Sequence, residues 1–159
     1  GLLYRDAIGR ANPTPRLGAI EATNPCGEVP LLPYESCNLG AINLARLVRE
    51  AGGAPALDWG RLAALAGDAV RFLDDVIEVN RYPLPEVERA TRATRKIGLG
   101  VMGFAEALIR LGIGYDSDEA VRFAERLMRA IADAAARSSA QLAERRGAFP
   151  AWEGSVHAA

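Results

Sequence analysis

The chain has 159 residues, of which 50% are hydrophobic and 25% charged, and its formal net charge is −1. This length suits one domain, and the composition is typical of a folded globular protein rather than a disordered segment. No apolar run approaches the ~20 residues that span a bilayer, and no secretory signal is evident. The balance of 19 basic and 20 acidic residues gives no attraction toward nucleic acid or an anionic membrane. We therefore expect a cytoplasmic protein that binds neither DNA, RNA nor membranes.

The basic residues are almost entirely arginine, and Lys96 is the one lysine. We attribute this bias to genome composition or a hot habitat and assign no site to it. The chain opens at Gly1 without an initiator methionine and stops at Ala159 without a closing element. We therefore expect a segment of a longer protein.

The first half of the chain predicts short elements between breakers. Apolar spacing at Leu2, Leu3, Ala7 and Ile8 predicts a brief helix, which the run Asn12-Pro13-Thr14-Pro15 ends. Residues 24–45 contain both cysteines among prolines, glycines and short apolar pieces, a composition that predicts an ordered loop between brief strands. Residues 41–44 form the next regular element, and residues 49–57 are predicted as a surface connection.

The second half predicts helices, from about residue 58 to about residue 147. Asp58 suits an N-cap, and apolar residues then recur at three- and four-residue spacing as far as Ile77. Prolines at 83 and 85 end this helix, and Pro85 suits the first position of the next one. The expected fold class is α/β, with helices packed against a few strands.

Three further elements follow in the predicted order. Residues 97–101 are expected to form a short buried strand, and residues 104–111 a helix that ends at Gly112. Ser117 is expected to cap the longest helix, over residues 118–145, with Gly147 just beyond its end.

The segment Asn24-Pro25-Cys26-Gly27-Glu28 carries most of the chemistry in the sequence. In an extended backbone the side chains of Asn24, Cys26 and Glu28 project to one side, so an amide, a thiol and a carboxylate converge on one ligand. A neighbouring carboxylate disfavours ionisation of a thiol, and the only histidine, His157, is remote in sequence. One-electron thiol chemistry, with the carboxylate handling a substrate proton, therefore fits better than a Cys–His hydrolase.

The second cysteine, Cys37, lies eleven residues after Cys26. This spacing is not a zinc pattern, since no second pair of Cys or His residues completes four ligands, and we predict no metal site. From composition alone, a buried structural cysteine and a reactive one are equally good interpretations of Cys37.

Three stretches together resemble the large chains of ribonucleotide reductases, and the resemblance extends over essentially the whole chain. They are Thr23-Asn24-Pro25-Cys26-Gly27-Glu28-Val29-Pro30-Leu31-Leu32-Pro33-Tyr34-Glu35-Ser36-Cys37-Asn38-Leu39-Gly40-Ala41-Ile42-Asn43-Leu44, Val79-Asn80-Arg81-Tyr82-Pro83-Leu84-Pro85, and Thr94-Arg95-Lys96-Ile97-Gly98-Leu99-Gly100-Val101-Met102-Gly103-Phe104. The Asn-Pro-Cys-Gly-Glu form is typical of the adenosylcobalamin-dependent class, class II.

The resemblance implies a fold and a role for each site residue. The chain, residues 1–159, would be part of a ten-stranded α/β barrel, with the catalytic finger loop at about 24–37. Cys26 would become the thiyl radical that abstracts the ribose 3′ hydrogen. Glu28 would accept the 3′-hydroxyl proton, and Asn24 would bind the ribose hydroxyls. Cys37 would be one of two thiols that reduce the substrate radical and end as a disulfide.

The resemblance also implies cofactor and partners. These are adenosylcobalamin, a ribonucleotide substrate, a thioredoxin-like reductant, the remainder of the barrel and, in one arrangement, a second copy of the chain. The second reducing cysteine is absent, so we expect no turnover by this chain alone. Two alternatives stay open: a large chain that takes its radical from a separate metallo-subunit, and a non-catalytic helical interaction module.

A glycine pattern at Gly98, Gly100 and Gly103 matches the G-x-G-x-x-G form of dinucleotide-binding loops. That fingerprint needs a clear strand before the first glycine, whereas only Ile97 is apolar there. We interpret these glycines as a site of close packing between a strand and a helix.

Two charged clusters also suggest sites at first sight. Asp74, Asp75 and Glu78 lack the histidine or second carboxylate helix of a metal site, so we interpret them as a solvated face. Arg89, Arg92 and Arg95 recur every three residues, and we interpret them as part of an exposed mixed-charge helix rather than a phosphate cradle.

Overall fold

The computed structural model describes residues 4–158. About half of the chain is helical, in α1 (Arg5–Arg10), α2 (Trp59–Val79), α3 (Pro85–Thr94), α4 (Phe104–Leu111) and α5 (Asp118–Arg146). Six strands pair two by two: β1 (Ala22–Thr23) with β2 (Pro30–Leu31), β3 (Asn38–Asn43) with β6 (Ile97–Met102), and β4 (Val48–Ala51) with β5 (Ala54–Leu57). A 3₁₀ turn, Leu44–Leu47, follows β3. The expected α/β class is confirmed, as small sheets beside helices.

The chain divides into two compact units. One comprises the described parts of Gly1–Asn38, Asp74–Gly98 and Ala143–Ala159, and the other comprises Leu39–Leu73 and Leu99–Leu142. Among the described residues, no helix is long and apolar enough to cross a membrane.

The second unit contains the main apolar core. Three leucines, Leu44, Leu62 and Leu127, are 0%, 0% and 1% exposed, and burying each contributes about 1.5–3 kcal/mol. They come from the 3₁₀ turn, α2 and α5, so the three- and four-residue apolar spacing of the helices is what builds this core. The core members are Ile42, Leu44, Leu47, Leu57, Leu62, Ala66, Ala107, Leu127, Ile131 and Ala134.

The predicted helix ends are confirmed by their caps. Asp58 Oδ1 accepts the Arg61 N–H at 2.8 Å at the start of α2, and Ser117 Oγ accepts the Ala120 N–H at 3.1 Å at the start of α5. Gly112, after α4, has φ +74, the left-handed conformation that glycine adopts without penalty. The predicted brief helix is confirmed at Arg5–Arg10, whereas Leu2 and Leu3 lie outside the described residues.

The predicted surface connection at residues 49–57 is indeed exposed over residues 49–55, but it is a hairpin of β4 and β5 rather than an irregular loop. Arg49 pairs with Ala56, and Ala51 pairs with Ala54 at the end of the ladder. Gly52 and Gly53 form the turn with φ +62 and +84, and a two-residue hairpin turn needs this pair of positive φ angles. The Gly-Gly dipeptide is thus a hairpin signal.

The interpretation of the glycines at 98–103 as a site of close packing between strand and helix holds only in part, because the close approach is found at Gly103 and its nearest neighbour is Asn43. Gly98 and Gly100 lie inside β6 rather than in a turn before a helix, and a Cβ on Gly100 would meet the Gly40 carbonyl oxygen at 3.9 Å. Gly103 has φ +70, and a Cβ there would lie 2.8 Å from Asn43 Oδ1. The close approach is therefore that of Gly103 to Asn43, just before the 3₁₀ turn, whereas the distance at Gly100 is an ordinary van der Waals contact. The strand itself is half-buried rather than buried.

The two charged clusters pair with each other within the first unit. Asp74 lies 2.8 Å from Arg95 and 2.6 Å from Arg146, and Glu78 pairs with both Arg92 and Arg95. Asp74 and Arg95 side chains are only 15% and 19% exposed, so the prediction of solvated faces is wrong for these two residues. The sequence spacing placed Asp74 and Glu78 correctly on one face of α2. Arg95, however, lies just beyond the end of α3 with φ +50, and the sequence did not show that the two clusters meet.

Candidate functional site

Cys26 lies at the tip of a hairpin formed by β1 and β2. Ala22 pairs with Leu31 and Thr23 with Pro30, which leaves residues 24–29 as the loop. The Gly27 N–H donates to the Asn24 carbonyl at 3.1 Å, so Pro25 and Cys26 occupy the centre of a tight turn. The fixed φ of proline suits the first central position of such a turn, and Gly27 follows with φ +87.

The expectation of an extended backbone from Asn24 to Glu28 is therefore wrong. A tight turn, rather than strand alternation, brings the amide, the thiol and the carboxylate into one loop. The physical reason is that Pro25 and Gly27 both favour turn geometry over a strand. The side chains belong to the same small loop, but their directions do not follow from a two-residue repeat.

Asn24 closes this loop with its side chain. Its Oδ1 accepts the Val29 N–H at 3.0 Å, and its own N–H donates to the Val29 carbonyl at 3.3 Å. The other end of the amide differs, because Nδ2 is inaccessible to solvent and has no partner among the described residues. Since a buried donor without an acceptor is costly, Nδ2 is an unsatisfied donor within the loop.

The thiol and the carboxylate of the loop are presented to the outside. Cys26 and Glu28 are both exposed, and Cys26 forms no disulfide. A thiol at a turn tip, with a carboxylate in the same loop, can exchange a hydrogen atom with a molecule that contacts the tip, and the carboxylate can accept a proton from it.

Cys37 lies immediately before β3 and differs from Cys26 in its surroundings. It is a free, half-buried thiol. Burial raises the pKa of the Cys37 thiol, the carboxylates of Glu28 and Glu35 raise it further, and Lys96 opposes them. The field of Glu28 at Cys37 links the hairpin tip to the second cysteine. Cys37 is thus held as a protonated thiol near neutral pH.

A second turn, at residues 32–35, leads to Cys37. The Glu35 N–H donates to the Leu32 carbonyl at 3.1 Å, and Glu35 Oε2 accepts the Leu32 N–H at 2.6 Å. Tyr34, within this turn, has φ +63, an uncommon conformation for a bulky residue. The turn is therefore closed both by its backbone and by the Glu35 side chain.

Sequence reasoning missed the residues that anchor this turn. Lys96 Nζ lies 2.6 Å from Glu35 Oε2, and Ser36 Oγ lies 2.7 Å from Thr91 Oγ1 on α3. The isolated lysine among arginines was the one signal in the sequence, and it was set aside as a compositional bias. The Ser36–Thr91 contact joins residues too far apart in sequence for any local pattern.

Two other features of the described chain take no part in this site. No group of three or more His, Cys, Asp or Glu side chains among residues 4–158 is arranged to hold a metal ion. The ring of His157 stacks on Trp152 with centroids 6.2 Å apart. It therefore belongs to an aromatic cluster near the C-terminus rather than to the cysteine segment.

Comparison with known proteins gives one consistent result. Residues 1–159 match the family described as "Ribonucleotide reductase, barrel domain". The chain is 66% identical over 152 residues to a vitamin B12-dependent ribonucleoside-diphosphate reductase of Mycobacterium tuberculosis, an alignment that covers 96% of this chain and 21% of the relative.

More distant relatives carry related names. The chain is 53% identical over 155 residues to the vitamin B12-dependent ribonucleoside-diphosphate reductase of Thermoplasma acidophilum, covering 98% of this chain and 20% of that protein. It is 37% identical over 158 residues to the ribonucleoside-diphosphate reductase subunit alpha of Chlamydia muridarum, covering 97% of this chain and 15% of that protein. The chain thus spans about a fifth of the length of its B12-dependent relatives.

Proposed function

We propose that this chain carries the radical-bearing hairpin of an adenosylcobalamin-dependent enzyme. The chain belongs to the ribonucleotide reductase barrel-domain family. The enzyme would reduce ribonucleoside diphosphates to deoxyribonucleoside diphosphates. The names of the two B12-dependent relatives support both the cofactor and the substrate class. The observation that carries the proposal is the hairpin tip, where the exposed Cys26 thiol shares one loop with Glu28 and the unpartnered Nδ2 of Asn24.

In this proposal Cys26 acts as a thiyl radical. The sulfur removes the 3′ hydrogen atom of the ribose and later returns a hydrogen atom to the same carbon, so Cys26 is unchanged over the cycle. Exposure at a turn tip suits this role, because the thiol must contact a ribose carbon directly. The tight turn closed by Asn24 holds the sulfur in place.

Glu28 and Asn24 handle the ribose hydroxyls. The Glu28 carboxylate accepts the 3′-hydroxyl proton, and the 2′-hydroxyl leaves as water with a proton from one of the reducing thiols. Asn24 would donate from Nδ2, which is buried and unpartnered in the free chain, to a ribose oxygen once substrate contact uncovers it, while its Oδ1 remains on the Val29 N–H. This division uses both ends of one amide, one for the fold and one for the substrate.

Cys37 supplies half of the reducing equivalents. Two thiols lose two electrons and two protons to become one disulfide, and the ribonucleotide gains them to give a deoxyribonucleotide and one water. The half-buried and protonated state of Cys37 suits a hydrogen donor. The described chain holds Cys26 and Cys37 alone, so the second reducing thiol would come from elsewhere in the enzyme.

The chain's residues meet only one requirement of the cofactor. Adenosylcobalamin supplies one-electron chemistry when bound, and the exposed thiol of Cys26 is a suitable target for it. The residues around that thiol, Pro25, Gly27 and Glu28, are themselves exposed and form no cradle for a corrin ring. The described residues therefore do not form a complete cofactor site by themselves.

The wider assignments belong to the same proposal. Residues 1–159 would form part of one catalytic barrel domain of ten strands, with the finger loop at about 24–37 and the helical region at about 58–147. The enzyme would work in the cytoplasm with a thioredoxin-like reductant and the remainder of the barrel, and a homodimer is compatible with it.

Radical supply is the direct test of this proposal. A complete reductase polypeptide that carries this segment should form deoxyribonucleotides from ribonucleoside diphosphates with adenosylcobalamin and a dithiol, without any second protein. A requirement for a separate metallo-subunit would contradict the proposal and support the alternative of a large chain that takes its radical from such a subunit.

A second experiment tests the role of Cys37. With Cys37→Ser, continuous turnover with a thioredoxin-like reductant should fall to background, because no intramolecular disulfide can form. The substrate affinity should stay within about twofold, since the thiol is not proposed to bind the ribose. Wild-type continuous turnover by this variant would rule out Cys37 as a reducing thiol.

The interaction-module alternative has its own discriminator. A 159-residue module that works by binding should fold alone as a cooperative monomer, whereas part of a barrel should expose strand edges and associate. Sedimentation of the purified chain over a range of concentrations separates the two outcomes.

A further inference from the structure

A buried ion pair lies beside Cys37, between Glu35 and Lys96. Lys96 Nζ and Glu35 Oε2 are 2.6 Å apart, and the two side chains are 14% and 2% exposed. Removing two charges from water is expensive, so a buried ion pair contributes little net stability compared with apolar residues of the same volume. The position of this pair, two residues before Cys37 and one residue before β6, therefore bears on what it does.

The pair fixes the backbone that leads to Cys37. Glu35 Oε2 accepts both from Lys96 and from the Leu32 N–H, so one carboxylate oxygen closes the turn and joins it to the residue before β6. Lys96 Nζ also reaches the Pro30 carbonyl at 3.5 Å, at the end of the hairpin. The same side chain therefore contacts both the hairpin strand and the second turn.

A second contact supports the segment from α3. Ser36 Oγ and Thr91 Oγ1 are 2.7 Å apart, and Thr91 is 1% exposed. Residues 35 and 36 are thus both anchored by side chains, one by charge and one by a hydroxyl pair. Cys37 follows directly, so its backbone position is determined by these two contacts.

The pair also determines the charge around the thiol. Three charged groups act on Cys37: Glu28 and Glu35 oppose formation of the thiolate, and Lys96 favours it. Glu35 Oε1 is inaccessible to solvent and has no partner among the described residues. Among the described residues, the negative charge of Glu35 is therefore compensated by the Lys96 amine alone, through Oε2.

We propose that Glu35 and Lys96 are positioning residues for Cys37, which hold the thiol in place and balance the charge at its sulfur. This inference rests on the proposed reducing role of Cys37. Such a thiol must remain protonated to donate hydrogen, and when an external dithiolate later attacks the resulting disulfide, the sulfur of Cys37 must be able to leave as a thiolate. Beside the thiol, the Glu35 carboxylate favours the protonated form and the Lys96 amine favours the thiolate, so the pair balances these two requirements.

The test is the pH dependence of Cys37 alkylation in the complete reductase polypeptide. Iodoacetamide labelling at several pH values, followed by peptide mass spectrometry, reads Cys37 and Cys26 separately in one sample. Cys26, which lies at the exposed hairpin tip, serves as the internal reference. The variants are Glu35→Gln, Lys96→Met and Lys96→Arg.

The two halves of the pair should have opposite effects. Glu35→Gln should move the midpoint of Cys37 alkylation to lower pH by about 0.5 to 1, because a negative charge is lost beside the thiol. Lys96→Met should move the midpoint to higher pH by a similar amount, and Lys96→Arg should restore it. Glu106→Gln breaks an exposed pair with Arg110 and is the matched control, expected to leave the midpoint unchanged.

A merely structural pair gives a different result. Losing either half would then loosen the same segment, and both variants would move the midpoint in the same direction or leave it unchanged. Either outcome overturns the inference. If Lys96→Met fails to fold, the midpoints of Cys37 alkylation in Glu35→Gln and Lys96→Arg are compared instead. An unchanged midpoint in Glu35→Gln then overturns the inference.

Alkylation needs no turnover, so this inference and the proposed function fail separately. Opposite shifts in a polypeptide that makes no deoxyribonucleotide would support the charge balance and refute the function. An active reductase whose Glu35→Gln variant keeps the wild-type midpoint would do the reverse.

Discussion

The cysteine segment and the apolar core of the second unit are held together by different forces. Residues 24–37 are held by side-chain hydrogen bonds, between Asn24 and Val29, between Glu35 and Leu32 and between Ser36 and Thr91. The core around Leu44, Leu62 and Leu127 is held by burial of aliphatic side chains. Hydrogen bonds are directional and apolar contacts are not, so the first region specifies positions and the second specifies stability.

This contrast teaches where each kind of substitution should act. A reactive thiol at an exposed tip cannot be fixed by packing on all sides, since a substrate must approach it. Side-chain hydrogen bonds fix the loop while leaving one face open. The core, in contrast, has no reactive group and tolerates no loss of volume.

The largest effect on stability should come from the core. Leu62→Ala should lower the free energy of unfolding by about 2–5 kcal/mol, because it leaves a cavity at a fully buried position. Leu39→Ala is the matched control, since Leu39 is 52% exposed. Urea unfolding of the chain, followed by far-UV circular dichroism, measures both. Equal losses in the two variants would contradict the assignment of the core.

The next effect should come from the hairpin closure. Asn24→Ala should cost about 1 kcal/mol, because the Val29 N–H loses its acceptor. Asn80→Ala, at an exposed position after α2, should change the unfolding free energy by less than about 0.5 kcal/mol. Amide hydrogen exchange at Val29 gives the local readout. Undiminished protection at Val29 in Asn24→Ala would show that the side chain does not close the loop.

A smaller effect, of opposite sign, should come from the second turn. Tyr34 has φ +63 and is 60% exposed, so its ring contributes little packing while its backbone is strained. Tyr34→Gly should remove that strain and stabilise the chain by up to about 1 kcal/mol, less the entropy that glycine loses on folding. A destabilisation above about 1 kcal/mol would mean that the tyrosine side chain holds the turn.

The smallest effect should be the pH-dependent contribution of Glu78, in the charged cluster of the first unit, to the free energy of unfolding. Hydrogen bonds from Arg95 and Arg92 hold the pKa of Glu78 below its ordinary value of 4.5. The folded state therefore binds this proton less readily than the unfolded state, so the contribution of Glu78 is present above pH 4.5 and lost as the pH falls through the folded value. Because the carboxylate is half exposed, this contribution should stay below about 1 kcal/mol.

Unfolding of wild type and Glu78→Gln at pH 6 and pH 3 measures that contribution. The wild type should be the more stable at pH 6, and the difference should shrink toward pH 3. A difference that grows with acidity would reverse the sign of the Glu78 interaction.

Local patterns in the sequence were sufficient for the helices. Apolar periodicity located α2 and α5. Asp58 marks the start of α2, Ser117 the start of α5 and Gly112 the end of α4. Such capping residues can be found from sequence because they act within one turn of the helix end. The Gly52–Gly53 hairpin was missed although its signal is equally local, since the short strands beside it have no clear alternation.

The sequence suggested candidate site residues, whereas their geometry required the structure. Residue types and the resemblance single out Asn24, Cys26, Glu28 and Cys37, whose roles stay predictions. The composition predicts a loop there, but the tight turn at Pro25 and Cys26 differs from the extended alternation expected for the three side chains. The Glu35–Lys96 pair was missed because it joins residues 61 positions apart. Contacts of this kind are set by tertiary structure, and no local pattern carries them.

The central claim is that the Cys26 sulfur performs the hydrogen abstraction. Cys26→Ser in the complete reductase polypeptide, assayed in a single turnover with adenosylcobalamin and a ribonucleoside diphosphate, tests it most directly. Deoxyribonucleotide formation should fall to background, while the affinity for the substrate, measured in parallel by equilibrium dialysis, stays within about twofold because the exposed thiol is not proposed to hold the ribose. Product formation by Cys26→Ser at the wild-type amount per enzyme would contradict the account.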